Sequence, residues 1–205
     1  MSSIAFILKG FLIGIIVSIP IGPIFILTVQ KSVNDGRKAG FSCGLGATAV
    51  DTICAIISAF ALSAIGQVIE DHTAIIEIIG GLFIAFVGAN MFRIKIQEQR
   101  RKRPYSPKNF IKAFTMGASN PAAIAVMLAV FAFFKMDMSE QPASIPVLAI
   151  LAVAAGSASY WYTLSRTLAH FGEKFNFKVL VIINRIAAAA IVLFGLFLVF
   201  KGIAA

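Results

Sequence analysis

Apolar residues form six long stretches along this chain, separated by short polar segments. The stretches cover about residues 4–30, 41–66, 74–92, 112–134, 144–168 and 180–202. At a rise of about 1.5 Å per residue, each can cross the ~30 Å hydrocarbon core of a bilayer as a helix. The longest hydrophilic segment runs from about Arg93 to Lys112, which leaves no room for a soluble domain. The pattern predicts an all-α integral membrane protein with six transmembrane helices.

Prolines interrupt two of these stretches. The first stretch contains Ser18-Ile19-Pro20-Ile21-Gly22-Pro23, and the fourth contains Ser119-Asn120-Pro121. Proline frees backbone groups that lipid cannot hydrogen-bond, so each break must lie against protein or a water-filled cavity. Either break alone could be a simple kink. Breaks at matching places in two halves are instead typical of transporter binding sites.

The six stretches divide into two similar halves of three. An odd number of spans per half inserts the second copy upside down, which is the inverted-repeat plan. Repeat one covers about 1–92, a basic linker covers about 93–111, and repeat two covers about 112–205. Small residues recur at four-residue spacing in spans one, two and four, and such stripes permit close helix contacts in lipid. We therefore expect spans one, two, four and five to form the core, with spans three and six outside them.

The charges indicate how the spans are oriented. The chain is 59% hydrophobic and 13% charged, with a net charge of +9. Basic residues cluster after spans one, three and five, whereas the other two loops are mainly acidic. By the positive-inside rule the basic loops are cytoplasmic and both termini are external. The positive charge is thus a topology signal rather than a nucleic-acid surface. The first stretch lacks a short apolar core with a cleavage site, so we expect it to be retained.

Asp51 is the only acidic residue well inside a predicted span. An ionised Asp at mid-helix costs about 2.5–3.5 kcal/mol, so Asp51 must face the bundle interior, have a partner or be protonated. If it is functional, Asp51 carries a proton or cation, or faces the amine of a substrate. If it is structural, it accepts hydrogen bonds that tie span two to a neighbour.

Counting residues from the cytoplasmic ends of the spans places Asp51 at a depth similar to that of both proline breaks. The half-helices after the breaks would direct partial positive charge at a shared cavity, which suits a carboxylate, while Asp51 suits an ammonium. These features predict a site for a small zwitterion. The candidate site residues are Asp51, Pro20, Gly22, Pro23, Asn120, Pro121 and Trp161. Further polar residues that could line the cavity are Thr28, Gln30, Thr48, Thr52, Ser119, Ser157, Ser159 and Tyr162.

The order of these motifs resembles the LysE (lysine exporter) type translocator family. The motifs are Ile19 to Pro23, Gly40 to Gly46 followed by Asp51, Gly80-Gly81 to Gly88, Asn120-Pro121, Gly156 with Trp161, and Asn184-Arg185 to Gly195. The chain departs from the family pattern at Val50 and Ala187, where the family usually has glycine. The resemblance implies a six-helix exporter of amino acids or similar small metabolites in the bacterial inner membrane, driven by the proton-motive force.

We expect a secondary transporter, not an enzyme, that moves a small zwitterion by alternating access. Its partners would be a small-molecule substrate, protons and the lipid bilayer, but not nucleic acid, and either a monomer or a homodimer is compatible with the sequence. We expect no cofactor and no metal, and the chain has no GxxxxGK[ST] loop for direct ATP drive.

Two alternatives stay open at this point. One is a small-cation permease in which Asp51 coordinates the ion. The other is an intramembrane enzyme or assembly factor, which has less support because the spans lack paired acids, a His-Glu zinc signature and a nucleophile–base arrangement.

Overall fold

The computed structural model describes residues 3–19, 22–71, 73–93, 108–136, 138, 141–142, 144–171 and 177–204. These residues form helices and no strand, so the all-α prediction is confirmed for the described part of the chain. Pro20 and residues 94–107 of the basic linker lie outside the described residues. The helices are α1 (Ser3–Ser18), α2 (Pro23–Asp35), α3 (Arg37–Asp71), α4 (Thr73–Met91), α5 (Lys108–Ala118), α6 (Pro121–Phe133), α7 (Ser144–Phe171) and α8 (Phe177–Ala204).

Three helices contain segments that are long and apolar enough to cross a membrane alone. They are Arg37–Ala64 of α3, Ser144–His170 of α7 and Asn184–Ala204 of α8. Two bent pairs, α1 with α2 and α5 with α6, pass the same test together, which gives up to five candidate spans among the described residues. The pairs bend by 82° and 71°. The predicted third span corresponds to α4, whose apolar segment Glu77–Met91 is shorter than a full span.

Proline explains where the bent pairs are divided. Pro20 lacks an N–H and disfavours helical conformation in the residue before it, and α1 ends at Ser18. Pro23 and Pro121 begin α2 and α6, at a position where the missing N–H costs no hydrogen bond. The same residue type therefore ends one half-helix and begins the next.

The core of the bundle is built around α3, which contacts α1, α2, α5, α6 and α7. The pairing of α1 with α7 depends on glycine. Gly14 of α1 lies against the backbone of Val153, and Gly156 of α7 lies against the backbone of Phe11, so a Cβ at either glycine would collide with main chain. Such close approach supplies the packing that holds helices together in lipid.

The α4 and α8 helices form a separate pair. Gly81 lies against the carbonyl of Gly195, and Lys201 forms an ion pair with Glu77. The pair touches the rest of the molecule through contacts of α4 with α3 and α6 and through α8, whose Phe194 ring lies 5.5 Å from that of Phe133 in α6. Its outer position agrees with the sequence prediction, but its inner face closes one wall of a cavity.

Candidate functional site

A cavity of about 500 Å³ lies between the half-helices, α3, α7 and the α4/α8 pair. Its volume falls within the range of about 300–1,000 Å³ that is typical of small-molecule pockets. All the predicted site residues that the structure describes line it, namely Gly22, Pro23, Asp51, Asn120, Pro121 and Trp161. The packing of α2, α3, α6 and α7 therefore brings together residues that are separated by up to two thirds of the chain.

Asp51 is the acceptor of a polar cluster that joins three helices. Its Oδ2 accepts hydrogen bonds from Ser18 Oγ of α1 at 3.2 Å and from Ser157 Oγ of α7 at 2.7 Å. Ser157 Oγ also lies 3.1 Å from Thr48 Oγ1 of α3. Asp51 Oδ1 accepts no hydrogen bond from the described residues. One carboxylate oxygen thus holds the helices together, and the other is available at the cavity.

The first break begins α2 without a side-chain cap. Gly22 is the N-cap in extended conformation, with φ −124° and ψ −169°, and it has no side chain to accept a hydrogen bond. The carbonyl of Gly22 accepts a hydrogen bond from Ile26 N at 3.1 Å. The amides of Ile24 and Phe25 belong to the first turn, where a helix offers no internal acceptor.

The second break begins α6 with a complete cap. Asn120 Oδ1 accepts a hydrogen bond from Ala122 N at 3.1 Å, and the Asn120 carbonyl accepts one from Ala123 N at 3.1 Å. Asn is among the most favourable N-cap residues because its short side chain satisfies a first-turn amide. The two breaks therefore share a shape but differ in how many donors they leave open.

Trp161 of α7 is 3% exposed and packs against the first turn of α2, with its ring centroid 6.4 Å from that of Phe25. Its Nε1 has no hydrogen-bond partner among the described residues. An unsatisfied buried donor is costly, and Trp161 lines the cavity, so its N–H is a candidate ligand contact. The neighbouring Tyr162 does not line the cavity and instead contacts Phe41 and Arg37.

The sequence analysis missed the part of the wall that α4 and α8 supply. This part consists of Phe83, Phe86, Val87, Asn90, Met91 and Ile191. Apolar residues that face a cavity cannot be distinguished by type from those that face lipid. Asn90 was the one available polar signal, and its side chain donates to its own helix at Phe86 O, 2.9 Å away.

Several other polar residues that the sequence suggested for the cavity are not part of its lining. These are Thr28, Gln30, Thr48, Thr52, Ser119, Ser157 and Ser159. Thr52 and Ser159 donate to carbonyls of their own helices, as hydroxyl residues in membrane helices often do. Ser157 instead hydrogen-bonds Asp51, and Thr48 hydrogen-bonds Ser157. Within the described ranges, no group of three or more His, Cys, Asp or Glu side chains could hold a metal ion.

Comparison with known proteins identifies the family. A family model described as LysE type translocator matches residues 15–202, which include both breaks, Asp51 and Trp161. The chain is also similar to the threonine efflux proteins of Salmonella typhi and Salmonella typhimurium strain LT2. Each is 27% identical over 154 residues, which cover 72% of this chain and 73% of the relative. No solved structure matches the chain. The chain therefore belongs to the LysE type translocator family, and it is a multi-pass membrane transport protein rather than an enzyme.

Proposed function

We propose that this protein exports an amino acid, or a similarly small zwitterion, from the bacterial cytoplasm across the inner membrane in exchange for protons. The observation that carries this proposal is the cavity, which combines the Asp51 carboxylate with the N-termini of two half-helices. A carboxylate suits an ammonium group, and helix N-termini suit a carboxylate. The similarity to threonine efflux proteins supports both the substrate class and the direction.

We also propose that the chain forms six spans arranged as two inverted repeats. Two helix contacts have counterparts in the other half, since α1 packs on α7 as α5 packs on α3, and α2 packs on α7 as α6 packs on α3. The contact of α2 with α3 has no such counterpart between α6 and α7 in the described residues. Gly156 of α7 lies against the carbonyl of Phe11 in α1, and Gly46 of α3 lies against the carbonyl of Phe110 in α5. These exchanged contacts are what a two-fold axis in the membrane plane would produce.

Asp51 is proposed as the coupling residue. Its Oδ2 is held by two hydroxyl groups, so the remaining oxygen can accept either a proton or the substrate's ammonium. Because both compete for one carboxylate, release of the substrate outside would allow Asp51 to take up a proton, and proton release inside would allow the next substrate to bind. This competition couples export to proton entry provided that the site changes orientation only when it holds the substrate or a proton.

A cation permease is the alternative that keeps Asp51 at its centre. The cavity wall disfavours this alternative because much of it is large and apolar, including Phe25, Phe83, Phe86 and Met127. A small hydrated cation gains nothing from such a wall, whereas the carbon skeleton of an organic solute does.

Purified protein in proteoliposomes tests the proposed function. Vesicles loaded with each radiolabelled amino acid are placed in a pH gradient, and efflux is followed with the gradient in both directions. We expect at least one amino acid to leave faster when protons can enter in exchange, and Asp51→Asn to remove that acceleration. Flux of sodium or potassium without movement of any amino acid would favour the cation permease and overturn the proposal.

A further inference from the structure

The N-termini of α2 and α6 both line the cavity, but they differ in their capacity to bind an anion. At α6, Asn120 already accepts hydrogen bonds from Ala122 N and Ala123 N. An arriving carboxylate would have to displace the Asn120 side chain to reach the first turn. The α6 terminus is therefore closed by its own cap.

The α2 terminus has no such cap. Gly22 contributes only its carbonyl, which accepts a hydrogen bond from Ile26 N, and no side chain in the described part of the chain hydrogen-bonds the first turn. The amides of Ile24 and Phe25 are thus left at the positive end of a helix dipole. A Cβ added at Gly22 would meet nothing within 4 Å, so the absence of a capping side chain does not follow from lack of space.

A second donor lies beside this terminus. The Trp161 ring packs against Phe25 in the first turn of α2, lines the same cavity and is 3% exposed. Its Nε1–H has no hydrogen-bond partner among the described residues. An uncapped helix start and, on the ring that packs against its first turn, a buried indole N–H without a partner among the described residues are two independent indications of a missing acceptor.

The position of Trp161 also mirrors that of Asp51. Asp51 follows Gly46 in α3 by the same number of residues as Trp161 follows Gly156 in α7. The two glycines make equivalent contacts with α5 and α1. One half of the molecule therefore presents an acceptor to the cavity where the other half presents a donor, as a zwitterion with two opposite poles requires.

From these observations we infer that the substrate's carboxylate binds at the N-terminus of α2, with the amides of Ile24 and Phe25 and the indole N–H of Trp161 as its donors. We call this group of donors the carboxylate site. The inference deepens the proposed function and rests on it. In this arrangement the substrate's ammonium binds at Asp51, and the N-terminus of α6 has only a structural role.

The first experiment identifies the amino acid with which the carboxylate site is tested. Trp161 is the chain's single tryptophan, so titration of the purified protein with each common amino acid should change its intrinsic fluorescence when the amino acid binds. The amino acid that binds most tightly and its carboxamide, which keeps the ammonium but lacks the carboxylate, then serve as a matched pair. Affinities of all variants are measured by calorimetry because Trp161→Phe removes the fluorophore.

Trp161→Phe keeps an aromatic ring but removes the N–H. We expect it to weaken binding of the amino acid between about tenfold and about a hundredfold, the range for a hydrogen bond to a charged group. Binding of the carboxamide should change by less than about twofold. The control is Ser165→Ala on the same helix, which also removes a buried, unpartnered polar atom but lies away from the cavity. It should leave both affinities unchanged.

Gly22→Asn copies the cap of α6 onto α2. The added side chain should occupy the first-turn amides and weaken binding of the amino acid by about tenfold or more, while the melting temperature stays equal or rises. Binding of the carboxamide should again change little. If Gly22 only shaped the break, Gly22→Asn would not raise the melting temperature and weaken amino-acid binding at the same time.

Two results would overturn the carboxylate site, and they differ from failure of the proposed function. If Trp161→Phe and Gly22→Asn weaken the amino acid and its carboxamide equally, these residues act by packing. If neither variant changes the amino acid's affinity, the carboxylate binds elsewhere. If no amino acid binds or is transported by the parent protein, the proposed function fails and the carboxylate site falls with it.

Discussion

At the scale of single residues, each polar group around the cavity has a distinct task. Asp51 stabilises the junction of α1, α3 and α7 through Oδ2 and keeps Oδ1 for the cavity. Asn120 stabilises α6 by capping it. The structural and functional interpretations of Asp51 are thus compatible, because a carboxylate has two oxygens and the cluster uses one.

Asp51→Asn should preserve the fold and abolish accumulation of substrate on the external side. Asn has a similar shape but cannot exchange a proton. One elementary charge crossing 100 mV is worth about 2.3 kcal/mol, so loss of one coupled proton lowers the attainable concentration ratio roughly fiftyfold. The measurement is the steady-state ratio of external to internal substrate concentration in energised vesicles. Thr52→Val is the control, because Thr52 donates to the Thr48 carbonyl and does not line the cavity. If Asp51→Asn reached the same concentration ratio as the parent protein, the role of Asp51 would be purely structural.

Asn120→Ala should lower stability by about 1 kcal/mol, because Ala cannot accept the hydrogen bond from Ala122 N. Thermal unfolding in detergent measures the loss. Asn120→Ser provides the matched comparison, since its hydroxyl can replace most of the cap and should restore most of the stability. Equal melting temperatures for all three proteins would show that the cap contributes nothing.

At the scale of helices, two kinds of contact decide the arrangement. Proline divides the bent pairs, and glycine sets how closely the long helices approach one another. The α4/α8 pair shows the second effect at two consecutive positions. Gly81 lies against the carbonyl of Gly195, whereas a Cβ at the adjacent Gly80 would meet nothing within 4 Å.

These two glycines give a matched pair of substitutions. Gly81→Ala should destabilise the protein by about 1–3 kcal/mol, because the new methyl group forces α8 away from α4. Gly80→Ala should be neutral or stabilising by up to about 1 kcal/mol, because Ala favours the helix and finds open space. Thermal unfolding of both variants in one detergent checks the order. If Gly80→Ala destabilised the protein more than Gly81→Ala, the close contact of Gly81 with Gly195 would be contradicted.

At the scale of the whole molecule, two links indicate which helix ends lie on the same side. Lys9 of α1 donates to the carbonyl of Phe134 after α6, at 3.0 Å. Arg37, at the start of α3, hydrogen-bonds Tyr162 in the second half of α7 at 3.4 Å. If the basic segments are cytoplasmic, as the sequence predicts, the first link lies on the external side and the second on the cytoplasmic side.

Single cysteines at Lys38 and Lys135 test this orientation in a background that lacks Cys43 and Cys54. Both lysines are exposed, and they lie at opposite ends of the bundle. In intact cells a membrane-impermeant thiol reagent should label Lys135→Cys and spare Lys38→Cys, with both labelled after permeabilisation. Labelling of Lys38→Cys alone in intact cells would reverse the proposed topology.

The sequence by itself determined the helical membrane class, the two breaks and the candidate polar and aromatic residues at the cavity, which are a minority of its lining. These features depend on local physical chemistry. Hydrocarbon requires long apolar helices, proline cannot donate a backbone hydrogen bond, and a charge such as Asp51 must be buried against protein. Asp51, Asn120 and Trp161 could be named in advance because polar or aromatic residues are conspicuous in apolar stretches.

Only the tertiary structure decided which surfaces meet. Phe83 and Phe86 of α4 were missed because lipid and an apolar cavity wall select the same residue types. The sequence treated the two breaks as equivalent, whereas the folded chain caps one with Asn120 and leaves the other without a side-chain cap. The first turn after the uncapped break packs against Trp161, whose N–H has no partner among the described residues. That difference arises from packing between distant helices, because whether a donor is satisfied depends on neighbours that no local pattern specifies.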